Sequence, residues 1–180
     1  MPAENSIPAK LCLTCGMCCN GVLFRDVELL PGDDAERLAT LGLPIERLKT
    51  KSRFPQPCAA LGEDCRCRIY AERPQRCRQF DCALLQSAVA EKISVPSALS
   101  IIQQAHRRAE KVRRFLRVLG DQDEHIALSL RFKRTRRRIE AAETDTQTAA
   151  TFGQLTLAVH QLNMLLSERF YPPQGSGLRQ

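Results

Sequence analysis

The sequence predicts a mainly α protein in which a small, irregular, cysteine-rich module is joined to a three-helix bundle. Three observations carry that expectation. All nine cysteines lie within the first 82 of 180 residues. The remaining 98 residues contain three stretches whose apolar positions recur at the helical period. Between the cysteines, residues 44–68 hold three prolines and no long apolar run, so they read as irregular backbone. The expected boundaries are 1–90 for the cysteine-rich module, 91–172 for the bundle and 173–180 for a disordered tail.

Met1 to Lys10 is polar and carries prolines, which reads as a loose lead without a signal peptide. No window approaches 18 consecutive apolar residues, so no membrane span is expected. The expected compartment is the cytoplasm, where thiols stay reduced. An odd number of cysteines cannot pair completely as disulfides, which favours metal ligation over a disulfide framework.

Cys12-Leu-Thr-Cys15-Gly-Met-Cys18-Cys19 then places four thiols inside eight residues. Cys12-x-x-Cys15-Gly reads as two thiols across a tight turn, with Gly16 supplying a positive φ. Adjacent side chains diverge in most backbone conformations, so Cys18 and Cys19 are expected to serve different metals or one polynuclear cluster. Gly21 to Leu30 could supply one short strand. Asp33 and Asp34 precede a helix over 35–41, which Gly42 and Pro44 stop. Pro74 suits the first position of a short helix, which puts Cys77 in its first turn, and Phe80 to Ala90 continues as helix.

The second half is more regular. Ser94-Val-Pro-Ser97 opens a long helix whose stripe is Ala98, Ile101, Ile102, Ala105, Ala109, Val112, Leu116 and Leu119, with Gly120 at its end. Asp121 and Glu124 have capping-box spacing and predict the next helix start. Its stripe is Leu128, Phe132, Thr135, Ile139 and Ala142. A third helix from about Thr146 carries Phe152, Leu155, Val159, Leu162, Leu166 and Phe170 and stops at Pro172 and Pro173. Short connections between three amphipathic helices predict a bundle.

The chemistry sits in the cysteines. No histidine is near them, since His106, His125 and His160 all fall in the second half, where they read as structural or exposed. A ligand set built here is thiolate only, which selects zinc, cuprous copper, iron or an iron-sulfur cluster and disfavours magnesium, calcium and manganese. Five more cysteines follow the first four, in Cys58-Ala-Ala-Leu61 and in Cys65-Arg-Cys67-Arg-Ile-Tyr70-Ala-Glu-Arg73-Pro74-Gln-Arg-Cys77-Arg78-Gln-Phe80-Asp-Cys82.

With the CxxCxxCC opening, this long pattern resembles the YkgJ-type cysteine-cluster family of zinc- or iron-chelating proteins over residues 12–82. The resemblance implies metal ligation by Cys12, Cys15, Cys18, Cys19, Cys58, Cys67, Cys77 and Cys82, with zinc or iron, an iron-sulfur cluster included, as cofactor; eight such cysteines are enough for two four-thiolate sites, so more than one metal ion is expected. Cys65 lies outside the family's pattern, which leaves it open between ninth ligand and bystander. Flagellin lysine methylases look similar in carrying such a cluster, so a metal-dependent enzyme is an alternative to a metal-binding protein of unknown process. Arg73, Arg76 and Arg78 could donate to sulfur, or stand in solvent or pair with Glu72 or Asp81. Ile69, Tyr70 and Phe80 read as a small core beneath the metals.

Charge divides the chain as cysteine does, with a net +1 over residues 1–90 and +6 over 91–180. Arg131-Phe-Lys-Arg-Thr-Arg-Arg-Arg138 holds six cations in eight residues, behind Arg107, Arg108, Lys111, Arg113, Arg114 and Arg117. Residues 107–138 could therefore hold a nucleic acid or an acidic protein partner, making a nucleic-acid-associated zinc protein a third reading. The competing reading is a solvated polar face. No glycine-rich phosphate loop, Ser/His/Asp order or HExxH motif is present, so any enzyme here would draw its chemistry from the metal. Four thiolates close a metal to substrate, and catalysis needs an open position, which leaves enzymatic activity undecided.

Overall fold

Helix begins earlier than the polar lead suggests. In this computed structural model, which describes residues 6–171, Ser6 caps α1 (Ile7–Cys15) by accepting the Ala9 N–H at 3.3 Å. Pro8 lies in the first turn, where a missing N–H breaks no hydrogen bond. Gly16 ends the helix at φ 58°, donating to the Cys12 carbonyl at 3.1 Å. Cys12 and Cys15 are thus one helical turn apart, where the sequence suggested two arms of a loop.

The expected lone strand, β1 (Asp26–Glu28), belongs to a small antiparallel sheet with β2 (Glu46–Arg47) and β3 (Ser52–Pro55) in the order β1-β3-β2. Val27 lies opposite Phe54 and Glu46 opposite Arg53. Between β1 and β2, Asp34 caps α2 (Ala35–Thr40) by accepting the Arg37 N–H at 2.8 Å. A 3-10 turn (Tyr70–Glu72) leads to α3 (Gln75–Gln79) and α4 (Ala83–Val89). Pro74 stands one position before α3 rather than at its first residue, and Cys77 lies within that helix's first turn.

Ser94 caps α5 (Val95–Val118), and Asp145 caps α7 (Thr146–Arg169), both as the sequence predicts. The helix between them, α6 (Leu128–Glu140), has its N-cap at Ala127, six residues later than Asp121 suggests. Asp121 does not cap it. Its carboxylate, 4% exposed, accepts Arg131 Nε at 3.0 Å and Arg134 Nη2 at 2.7 Å, with Thr135 Oγ1 at 3.5 Å. A buried guanidinium offers this carboxylate more than a backbone N–H does. Seven α-helices and three short strands among the described residues make the chain mainly α.

Two cores hold these elements. The larger is centred on α5, whose Ala98, Ile102, Ala105, Ala109, Val112 and Leu116 are all buried against Leu155, Leu162, Leu166 and Phe170 of α7 and its cap. The three alanines let the two long helices approach closely. Leu11, Met17, Val22 and Leu23 enter the same core, so it packs residues from both sides of position 90. The smaller core, Val27, Leu29, Leu38, Leu43, Phe54 and Ala60, joins the sheet to α2. Two bonds tie the end of α7 back to the cysteine-rich part: Ala83 N–H donates to the Phe170 carbonyl and Tyr171 hydroxyl to the Leu23 carbonyl, each at 3.0 Å. No helix among the described residues is long and apolar enough to cross a membrane. The expected tail at 173–180, and the prolines expected to stop α7, lie outside the described residues.

Candidate metal centre

All nine cysteines are free thiols. Cys12 and Cys15 occupy the last turn of α1, and the left-handed Gly16 swings the chain so that Cys18 and Cys19 follow in the next turn. There the neighbouring side chains do not diverge: Cys18 Sγ and Cys19 Sγ are 3.7 Å apart. The reason is local, since residues 17–20 form a tight turn and not the extended backbone in which neighbours point apart.

Cys58 is fastened to the same turn by its N–H, which donates to the Cys19 carbonyl at 2.8 Å. Cys67 returns beside Cys58 through a bridge between Leu61 and Cys67, closed by Arg68 N–H on the Ala60 carbonyl. Cys77 comes from α3. Cys82 caps α4, its sulfur accepting the Leu85 N–H at 3.4 Å.

The thiols divide between the two cores. Cys15, Cys18 and Cys82 pack against the larger core, while Cys58, Cys67 and Cys77 pack against the smaller. Electrostatic neighbours follow the same division: Cys12 and Cys15 feel Cys18 and Cys82, whereas Cys19 feels Cys58 and Cys77 beside Cys18. Cys18 stands at the seam, acting also on Cys58 and Cys77. Cys65 is in neither set. It adopts φ 61° in the loop after Gly62, and its sulfur lies 3.1 Å from where a Cβ on Gly16 would stand.

Burial dominates the thiol chemistry. It pushes Cys12 and Cys77 up from 9.0 to about 12, and raises Cys15, Cys58 and Cys82 as well, with neighbouring thiols adding to each. Cys19 is raised by donating its proton to Cys18, which that hydrogen bond lowers in turn. Arg73 is the cation facing both sets, favouring thiolate at Cys12, Cys18 and Cys77. Its guanidinium lies 3.7 Å above the Tyr70 ring and its Nε donates to the Tyr70 carbonyl. Arg78 is occupied with the Arg73 and Ala71 carbonyls. Arg76 Nε is buried without a partner. Glu72 pairs with Arg37 rather than with any of these arginines. Beneath, Ile69 packs on the smaller core and the Phe80 ring meets Phe24 edge-on at 4.9 Å.

This donor set fits a soft or borderline metal ion, being thiol only and large enough for two four-coordinate sites. Among the described residues no three Cys, His, Asp or Glu side chains stand in metal-holding geometry. Crowded, buried thiols without a metal keep their protons, and a bound cation must displace them, so metal affinity should rise with pH. Stability of the stripped protein should move oppositely. At pH below its ordinary 9.0, Cys12 is protonated in the folded and the unfolded chain alike; between 9 and 12 the unfolded chain loses a proton that folded Cys12 retains, and stability falls. Denaturation of stripped protein should therefore show a lower midpoint near pH ~10 than at neutrality, and equal midpoints would contradict the assignment.

No curated protein and no solved structure matches the chain. A family model does, over residues 11–108, a span that begins one residue before Cys12, takes in all nine thiols and ends within α5. With more than half its length so matched, the chain belongs to the CxxCxxCC family, described as a "Putative zinc- or iron-chelating domain".

Proposed function

We propose that the protein chelates two metal ions, zinc or iron, one in each thiol set. Cys12, Cys15, Cys18 and Cys82 hold the first, and Cys19, Cys58, Cys67 and Cys77 the second. The observation that supports this reading is the division of the thiols between two separate cores, with adjacent Cys18 and Cys19 at the border. Each metal then ties irregular backbone to its own core, a structural role in which bound metal contributes directly to folding. The 3.7 Å between Cys18 and Cys19 is also near the edge of a zinc-thiolate tetrahedron, about 3.8 Å for 2.3 Å bonds. That geometry makes a single shared ion the competing arrangement. Free thiols in such number suit a reducing compartment such as the cytoplasm.

Anaerobic purification with metal analysis tests the reading. Two metal ions per chain are expected; Cys18→Ser and Cys19→Ser should each lower that count, and Cys65→Ser should leave it unchanged. One ion per chain, retained in Cys58→Ser, would exclude the two-set arrangement. The absorption spectrum names the metal, since colourless protein indicates zinc and brown protein with sulfide an iron-sulfur cluster.

A nucleic-acid role draws less support than the run of cations suggests. Arg131 and Arg134 are held by Asp121, Arg117 by Glu110 and Glu124, Arg108 by the Gln161 carbonyl and Arg138 by the Leu119 carbonyl. Arginines engaged in this way are poorly placed to track a phosphate backbone.

A further inference from the structure

Helix α7 has a face unlike the rest of the surface. From Thr146 to Ser167 it carries no Asp, Glu, Lys or Arg in 22 residues, although a quarter of the whole chain is charged. Its inner side is packed on α5, yet its outer side is open: Leu157 is 55% and Met164 49% exposed, and Ala150 and Gln161 are exposed too. A Cβ on Gly153 would meet nothing within 4 Å. By contrast, α5 and α6 fill their exposed positions with Arg107, Lys111, Arg114, Lys133 and Arg137. An isolated surface helix gains nothing from a neutral outer face.

We infer that this face pairs with α7 of a second copy of the chain, antiparallel about a two-fold axis through Leu157. Ala150, Gly153, Leu157, Gln161 and Met164 fall in one stripe at the helical period. Under that axis Leu157 meets its own counterpart, Gly153 meets the partner's Gln161, and Ala150 meets the partner's Met164. On either side of the central Leu157 pair small residues oppose large ones, which suits a self-complementary contact.

Charge selects the occupant. The chain carries +7, so a second copy is favoured only at a face that adds no like charge of its own, and Arg108, the α5 cation that reaches this helix, is held on the Gln161 carbonyl. An acidic protein or a nucleic acid would need cations on the contact, and the stripe has none.

The test is light scattering and sedimentation of the metal-loaded, full-length protein across the micromolar range. A concentration-dependent dimer is expected. Leu157→Glu should leave it monomeric with unchanged helix content. Ala150→Lys and Met164→Glu should each weaken pairing at least about tenfold, and the double variant should restore it, because each new charge then faces its opposite. A wild-type monomer throughout overturns the inference, as does a dimer indifferent to Leu157→Glu or a double variant no better than the singles. A monomer that dimerises only when the chain ends at Tyr171 overturns it too, since residues 172–180 would then be the occupant.

Discussion

Asp121→Ala should destabilise the protein by about 3–5 kcal/mol. Arg131 is 1% exposed, and Asp121 is its carboxylate partner, with the Asp121 carbonyl taking Nη2 at 2.9 Å. Removing the carboxylate leaves a buried guanidinium with one neutral acceptor. The reverse change is milder: in Arg131→Met, Asp121 keeps Arg134, which reaches solvent. Urea denaturation of both single variants and the double should show that asymmetry, with the double variant less damaged than Asp121→Ala. Equal losses in the two single variants would mean the pair is not the keystone of the α5–α6 turn. Burial alone would raise the Asp121 carboxyl, but Arg134 and Arg131 outweigh it and hold it below its ordinary 3.8. Its contribution is therefore present above pH 3.8 and lost as pH falls through the lower folded value.

Complete removal of metal should release residues 26–79 while leaving α5 and α7 folded. The smaller core has six buried apolar residues to organise this whole segment, and its strands are two to four residues long. A structural thiolate site contributes on the order of 10 kcal/mol, more than such a core can supply. The α5–α7 core needs no such support. Amide exchange before and after chelation is the measurement: protection should vanish over 26–79 and persist in α5 and α7. Unchanged protection throughout would show that the metal is cargo and not part of the fold.

How legible the fold was depended on whether a residue's partner lay nearby in sequence. The α5 stripe is readable because its residues recur at the helical period: Ala98, Ile102, Ala105, Ala109, Val112 and Leu116 are buried, while Ile101 and Leu119 at its edges are half-buried. Ser94 and Asp145 acted as caps because capping is local. Asp121 could cap or form an ion pair, and the deciding guanidinium is ten residues away. Helix α1 is not legible although Ser6 and Pro8 are start signals, because its apolar residues Ile7, Ala9, Leu11 and Leu13 fall at alternate positions and not at the helical period. Of the sheet only β1 is legible, because the two residues of β2 and the four of β3 are too few to display alternation. At the candidate centre the thiols themselves were plain, but their sorting was not. Cys82 stands beside Cys12 and Cys15 because α4 packs directly against α1, a contact between distant segments that no local pattern announces.

The return of the end of α7 to Leu23 and Ala83 sets an order of assembly. Cys58, Cys67 and Cys77, which pack on the smaller core, can meet once the chain has been made as far as α3, since the apolar residues of that core all precede it. The thiols of the larger core cannot, because Leu11 and Met17 share a core with Leu162, Leu166 and Phe170, and Leu23 waits for Tyr171, 148 residues later. At 5–20 residues per second the ninety or so residues between them take roughly 5–20 s to synthesise. During that interval Cys12, Cys15 and Cys82 stand unsheltered on an unfinished chain, while Cys58, Cys67 and Cys77 already have the smaller core to pack against.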